Sequence, residues 1–116
     1  MKSYHILAFV YSEAMTVKQV GSALYGLQSL GDTAPVRQLV AAMTPKVRCC
    51  SALDSQAISN SLFGLQRMGA SSETRQLVTA LTAKVLQCQE EFSALAVGNA
   101  LYGMQTLAIH FTRGGV

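Results

Sequence analysis

The sequence predicts an all-α fold, an α-solenoid of stacked helix-turn-helix repeats of 38–39 residues. Three observations predict it. One motif returns at a nearly fixed offset, apolar residues recur at three- and four-residue spacings, and a polar capping residue precedes each periodic stretch.

The motif Leu24-Tyr25-Gly26-Leu27-Gln28 returns as Leu62-Phe63-Gly64-Leu65-Gln66 and again as Leu101-Tyr102-Gly103-Met104-Gln105, at offsets of 38 and 39. A second block, Arg37-Gln38-Leu39-Val40 with Ala42, Thr44, Lys46 and Val47, returns as Arg75-Gln76-Leu77-Val78 with Ala80, Thr82, Lys84 and Val85. Residues 16–53 and 54–91 agree at 14 of 38 positions, and one offset held through two separate blocks marks an internal repeat. The chain divides as a single helical-repeat domain, 1–116. It comprises an N-terminal cap 1–15, repeat one 16–53, repeat two 54–92 and a partial repeat three 93–116.

Each unit reads as two helices. Val17, Val20, Leu24, Leu27 and Gly31 fall on one side of a 3.6-residue period. Thr16, Asp54 and Ser93 stand just before the first helices, where a side-chain oxygen can accept from an orphan amide, so helices are expected over 17–30, 55–68 and 94–108. The second helix uses Val36, Leu39, Val40, Met43 and Val47, matched by Leu77, Val78, Leu81 and Val85. Gly31-Asp32-Thr33 and Gly69-Ala70-Ser71 read as the connections, with the glycine in the left-handed conformation and Thr33 or Ser71 capping the next helix. Pro35 suits a first turn, whereas Pro45 is expected to kink or shorten its helix where Ala83 lets the other copy run straight. Residues 1–14 read as a further helix covering one end, with a strand as the alternative. The tail from His110 leaves the pattern where a third second-helix would begin, so an exposed end is expected that another copy or another chain could cover.

Composition narrows the function classes. Half the residues are apolar and 13% are charged, which excludes a disordered tail. The net charge of +3 is compatible with a nucleic-acid partner, but the basic side chains form no continuous stripe. Cys49, Cys50 and Cys88 make an odd count with no disulfide framework and no zinc-site spacing; they read as small, mostly buried apolar residues in a reducing intracellular compartment, cytoplasm or organelle. The apolar run Ile6–Tyr11 is far short of a membrane span and is followed by no persuasive cleavage pattern. His5 and His110 lie at opposite ends without evident carboxylate partners, and the repeated glycines sit in helical context rather than in a phosphate-binding loop. The chain therefore reads as a non-enzyme with no catalytic residue, cofactor or metal site.

The repeated residues divide into packing and binding candidates. Gly26, Gly64 and Gly103, with Gly21 and Gly98, point to close backbone approach. Tyr25, Phe63 and Tyr102 suit inter-repeat packing or, alternatively, a ladder of rings for stacking on unpaired bases. Gln28, Gln66 and Gln105 suit bonds to a neighbouring helix end or loop. Arg37 and Arg75 are expected to be solvated or paired, with phosphate clamping as the other reading. Constant packing residues are accompanied by varying exposed ones: Lys18, Gln56 and Leu95; Ser22, Asn60 and Asn99; Ser29, Arg67 and Thr106. Aligned on successive first helices, these would form a ladder across one surface.

The stretches Ile58-Ser59-Asn60-Ser61-Leu62-Phe63-Gly64-Leu65 and Val97-Gly98-Asn99-Ala100-Leu101-Tyr102-Gly103-Met104 carry a resemblance to a known class. They follow the pattern polar cap, Asn, small, Leu, aromatic, small, Leu, although repeat one has Ser22 for the asparagine and Trp, the common family aromatic, never occurs. The chain thereby resembles the octotricopeptide/heptatricopeptide helical-repeat proteins, including the repeats that precede RAP domains. The resemblance implies organellar RNA binding by the first-helix ladder. The expected function is binding of single-stranded RNA, with Lys18 and Arg67 at phosphates, Ser22, Asn60 and Asn99 at base edges, and Tyr25, Phe63 and Tyr102 supporting or stacking on bases. The alternative is a protein-interaction scaffold holding a peptide or partner helix, or associating with itself through the open end.

Overall fold

The computed structural model describes the backbone of residues 14–114 and the side chains of residues 14–108. All regular structure among them is helical: α1 (Val17–Tyr25), a 3-10 turn (Gly26–Ser29), α2 (Ala34–Cys49), α3 (Ser55–Phe63), α4 (Ser72–Gln87) and α5 (Ala94–Gly114). The capping residues do what their chemistry suggests. Thr16 accepts from the Gln19 amide at 3.1 Å while the Gln19 side chain accepts from the Thr16 amide at 3.0 Å, a closed capping box. Asp54, Ser71 and Ser93 accept from Ala57, Thr74 and Ala96 at 2.8, 3.2 and 3.1 Å, and Thr33 from Val36 at 3.5 Å.

Like helices pack on like. The α3 helix lies against α1 on one side and α5 on the other, and α2 lies against α4. The two layers share one core, in which Val20, Leu24, Val40, Val47, Ile58, Leu65, Met68, Leu77, Leu81 and Leu107 are fully buried. Glycine permits the close approach between units. A Cβ on Gly64 would run into the Leu24 carbonyl, and one on Gly103 into the Leu62 carbonyl, so both positions require a residue without a side chain. Gly21 makes the same allowance more loosely, its would-be Cβ lying 3.2 Å from the Ala57 Cα.

Several expectations are corrected. The first helices are α-helical only to Tyr25 and Phe63, not to residues 30 and 68; beyond them the chain tightens into i→i+3 turns, with Leu65 N–H to the Leu62 carbonyl at 3.1 Å and Met68 N–H to Leu65 at 2.9 Å. Gly26 and Gly64 are therefore caps rather than helix-interior residues, both right-handed with φ of −63° and −64°. The connecting glycines are not left-handed, since no described residue has positive φ. The third helix does not end at residue 108 but runs to Gly114. It carries Ala108 where the earlier copies have Gly31 and Gly69, and alanine sustains a helix that glycine lets end. Pro45 does not shorten its helix, for α2 and α4 both have 16 residues. A Cβ on Gly98 would meet nothing within 4 Å beyond its own helix, so no close approach is made there. The N-terminal covering element expected over 1–14 lies outside the described residues except for Ala14, which is not helical.

Candidate nucleic-acid interface

Because α1, α3 and α5 lie side by side, residues at equivalent positions form rows across them. Two adjacent clefts open along these rows. One, of about 310 Å³, is lined by Lys18, Gly21 and Ser22 of α1 and by Asp54, Gln56, Ala57 and Asn60 of the second unit. The other, of about 250 Å³, is lined by Ser55, Gln56, Ser59 and Asn60 and by Ser93, Leu95, Ala96 and Asn99. Asn60 and Gln56 belong to both, so the clefts share a wall. The four expected residues Lys18, Ser22, Asn60 and Asn99 thus meet on one surface.

The chemistry of that wall is amide and hydroxyl. Asn60 and Asn99 are half-buried, yet among the described residues neither side chain has a hydrogen-bond partner within the protein. Each amide offers a carbonyl acceptor and two N–H donors. Ser59, by contrast, is committed, donating from Oγ to the Ala96 carbonyl across α3 and α5 at 3.0 Å. Lys18 supplies a cation at the rim of the first cleft, opposite the Asp54 carboxylate, which is itself engaged in capping α3.

The remaining expected residues line neither cleft. Tyr25 and Phe63 stack at 5.4 Å between centroids with a 16° interplanar angle, and Phe63 and Tyr102 at 5.6 Å and 29°. The ladder exists, but its rings stack on one another. A base inserted between them would have to push packed helices apart, so the inner faces serve inter-helix packing, as expected from their place beside the apolar stripe. Arg67 is exposed in the turns after α3 and takes no part in the clefts.

The other repeated polar residues brace the units. Arg37 forms a 3.2 Å ion pair with Asp32 and also donates to its carbonyl, while Arg75 donates to the Ala70 carbonyl at 3.2 Å; each clamps the connection ahead of its own helix. Gln66 donates to Gln28 at 3.4 Å and to the Phe63 carbonyl at 3.2 Å, linking equivalent amides of successive units. Asp32 accepts from the Gly69 amide at 3.0 Å, joining the two connections.

Sequence reasoning missed two devices. Lys84, almost fully buried, donates from Nζ to the Cys50 carbonyl and to the Arg48 carbonyl at 3.5 Å, closing the C-terminal end of α2 from the neighbouring unit. Its repetition at Lys46 was the available signal, since a lysine identical in two copies at a position with apolar neighbours is not a solvated surface charge. Glu90 accepts from the Ser55 amide at 2.9 Å, and that backbone hydrogen bond holds its carboxyl below the usual range. Cys50 is buried and donates weakly to the Met15 carbonyl at 3.6 Å; burial raises its thiol pKa, with nearby Lys84 opposing. Among the described residues no three His, Cys, Asp or Glu side chains gather as a metal-ligand set, and no helix is long and apolar enough to cross a membrane.

Compared with models of known protein families, with curated proteins and with solved structures, the chain matches none.

Proposed function

We propose that this chain is a stretch of α-solenoid that holds single-stranded RNA along the clefts between its first helices. The stacking of like helices on like supports the solenoid reading, because no helical hairpin of this kind buries its apolar stripe alone. The observation that carries the RNA reading is the pair of half-buried, unpartnered amides, Asn60 and Asn99, at equivalent positions in adjacent clefts. Half-buried amides without internal partners are stabilised by an external donor-acceptor edge, which an unpaired base presents. In this reading Asn60 and Asn99 read base edges, Ser22 is the shorter third member, and Lys18 meets a phosphate at the rim. Tyr25, Phe63 and Tyr102 stack on one another one helical turn beyond the clefts rather than between bases, and Arg67 has no assigned contact.

Titration of the chain with 15-mer RNAs at low salt tests this directly. Affinity should fall as salt rises, with a log–log slope of about −0.7 per phosphate neutralised, and Lys18→Ala should reduce that slope. Replacing both Asn60 and Asn99 by alanine should weaken binding by roughly 1–3 kcal/mol for each base edge no longer read. The thermal melt should change by less than about 0.5 kcal/mol, because no internal hydrogen bond is removed. Failure of every RNA to bind at low salt, or a destabilised double variant whose folded fraction binds undiminished, overturns the reading. Capture of a peptide in the same clefts without retardation of RNA would assign the surface to a protein ligand instead.

A further inference from the structure

The two clefts between the first helices are one site built twice. At the repeat offsets of 38 and 39, every residue lining the first cleft has its counterpart lining the second. Differences between the clefts are therefore differences of side chain at matched places. Lys18 and Gln56 of the first correspond to Gln56 and Leu95 of the second, Ser22 and Asn60 to Asn60 and Asn99, and Asp54 to Ser93. The first cleft thus holds a cation and a carboxylate, and the second is lined by no charged side chain.

Helix capping does not account for the carboxylate. Thr16 and Ser93 cap the equivalent helices with neutral hydroxyls, each accepting at 3.1 Å. Asp54 commits only Oδ1 to the Ala57 amide, at 2.8 Å, and among the described residues its Oδ2 has no partner. Nor does Lys18, which shares the cleft, form an ion pair with it. A carboxylate with open lone pairs therefore stands in a cleft whose other polar groups are an amine, two amides and a hydroxyl.

Resting on the reading of these clefts as RNA sites, we propose that the first cleft selects guanine through Asp54. Guanine is the one RNA base with two adjacent donors on its Watson–Crick edge, the ring N1–H and an exocyclic N2–H, and a carboxylate offers acceptors to both. The neighbouring O6 accepts from the Asn60 amide N–H. Uracil presents a single N–H between two carbonyls, and adenine and cytosine each present one amino group beside a bare ring nitrogen, so each of them turns a lone pair toward the carboxylate. In the second cleft the matching hydroxyl of Ser93 is already committed to the Ala96 amide, and the nucleotide held there meets no such pair of acceptors.

The test titrates the full chain, at low salt, with uridine 15-mers whose central residue is guanosine, inosine, adenosine or uridine. Guanosine should bind about tenfold or more tighter than adenosine, with inosine, which lacks the exocyclic amino group, between them. Asp54→Asn keeps the cap, because asparagine caps as well as aspartate, but turns an N–H donor toward the base. With the thermal melt unchanged, this variant should bring the guanosine, inosine and adenosine RNAs to one affinity. Ser93→Asp supplies a carboxylate to the second cleft, again at a cap. A 15-mer with two adjacent central guanosines should then gain more over the single-guanosine RNA than it does on the parent chain. RNAs that all bind the parent alike overturn this proposal and leave the RNA reading standing, whereas failure of every 15-mer to bind removes both. An Asp54→Asn chain that binds every RNA more tightly by one factor, its guanosine preference intact, also overturns it, for the carboxylate then only repels phosphate. So does a Ser93→Asp chain that ranks the RNAs as the parent does, since the two clefts match residue for residue.

Discussion

At the scale of single residues, the buried Lys84 differs from the polar surface around it. Lys84 has no carboxylate partner in the described structure; its charge is met by backbone carbonyls at the end of α2, where the helix dipole favours a cation. Substitution Lys84→Met keeps the aliphatic stem but strands the Cys50 and Arg48 carbonyls. Charge-assisted hydrogen bonds of this kind contribute about 1.5–3 kcal/mol, so chemical denaturation should show a loss of that order with an unchanged slope. An unaltered midpoint would mean that water replaces the ammonium without cost. Much of the residue-level reading was legible from the sequence because capping is local: the five capping side chains act within three residues of themselves. Lys84 acts over 34 residues, and its partner is a backbone carbonyl that no residue type identifies. The clefts were half legible for a similar reason. The row Ser22, Asn60 and Asn99 follows from the repeat offset alone, whereas the exclusion of Tyr25, Phe63 and Tyr102 from the clefts depends on ring orientation, which periodicity does not carry.

At the scale of elements, three glycines at one repeat position have two different meanings. Gly64 and Gly103 lie against a carbonyl of the preceding unit, whereas Gly26 faces open space, and all three look alike in the sequence. Gly64→Ala forces α3 away from α1, a steric insertion that should cost about 1–3 kcal/mol or more. Gly26→Ala meets no neighbour and keeps a right-handed backbone, so it should stabilise by roughly 0.4–1 kcal/mol through the reduced freedom of the unfolded chain. Thermal melts of the two variants, measured side by side at low concentration, should move in opposite directions; parallel shifts would show that the carbonyl contact at Gly64 carries no energetic weight. The helix ends were less legible than the helices. A stretch of unbroken apolar period conceals the change from i→i+4 to i→i+3 bonding after Tyr25 and Phe63, because both keep Leu27 and Leu65 facing the core. The extension of α5 to Gly114 has a plain local cause in Ala108, but the repeat pattern itself pointed to an interruption there.

At the scale of the whole molecule, the bonds between units are directional. Asp32 reaches forward to the Gly69 amide, Glu90 reaches back to the Ser55 amide, and Lys84 reaches back to the end of α2. The last of these orders events in time. A ribosome delivers the chain from its N-terminus at a finite rate, so α2 emerges and can coil well before residue 84 does. During that interval the carbonyls of Arg48 and Cys50 have only water to bond, and the hairpin of the first unit is left frayed at its far end. A chain ending at residue 71 should therefore be cut by protease near Arg48, whereas one ending at residue 91 should resist at the same bond. Equal resistance in both would mean that the first hairpin closes unaided. Otherwise closure of the first hairpin waits for the second, and a pause in translation placed between residues 50 and 84 would lengthen the window in which the nascent chain is open to attack.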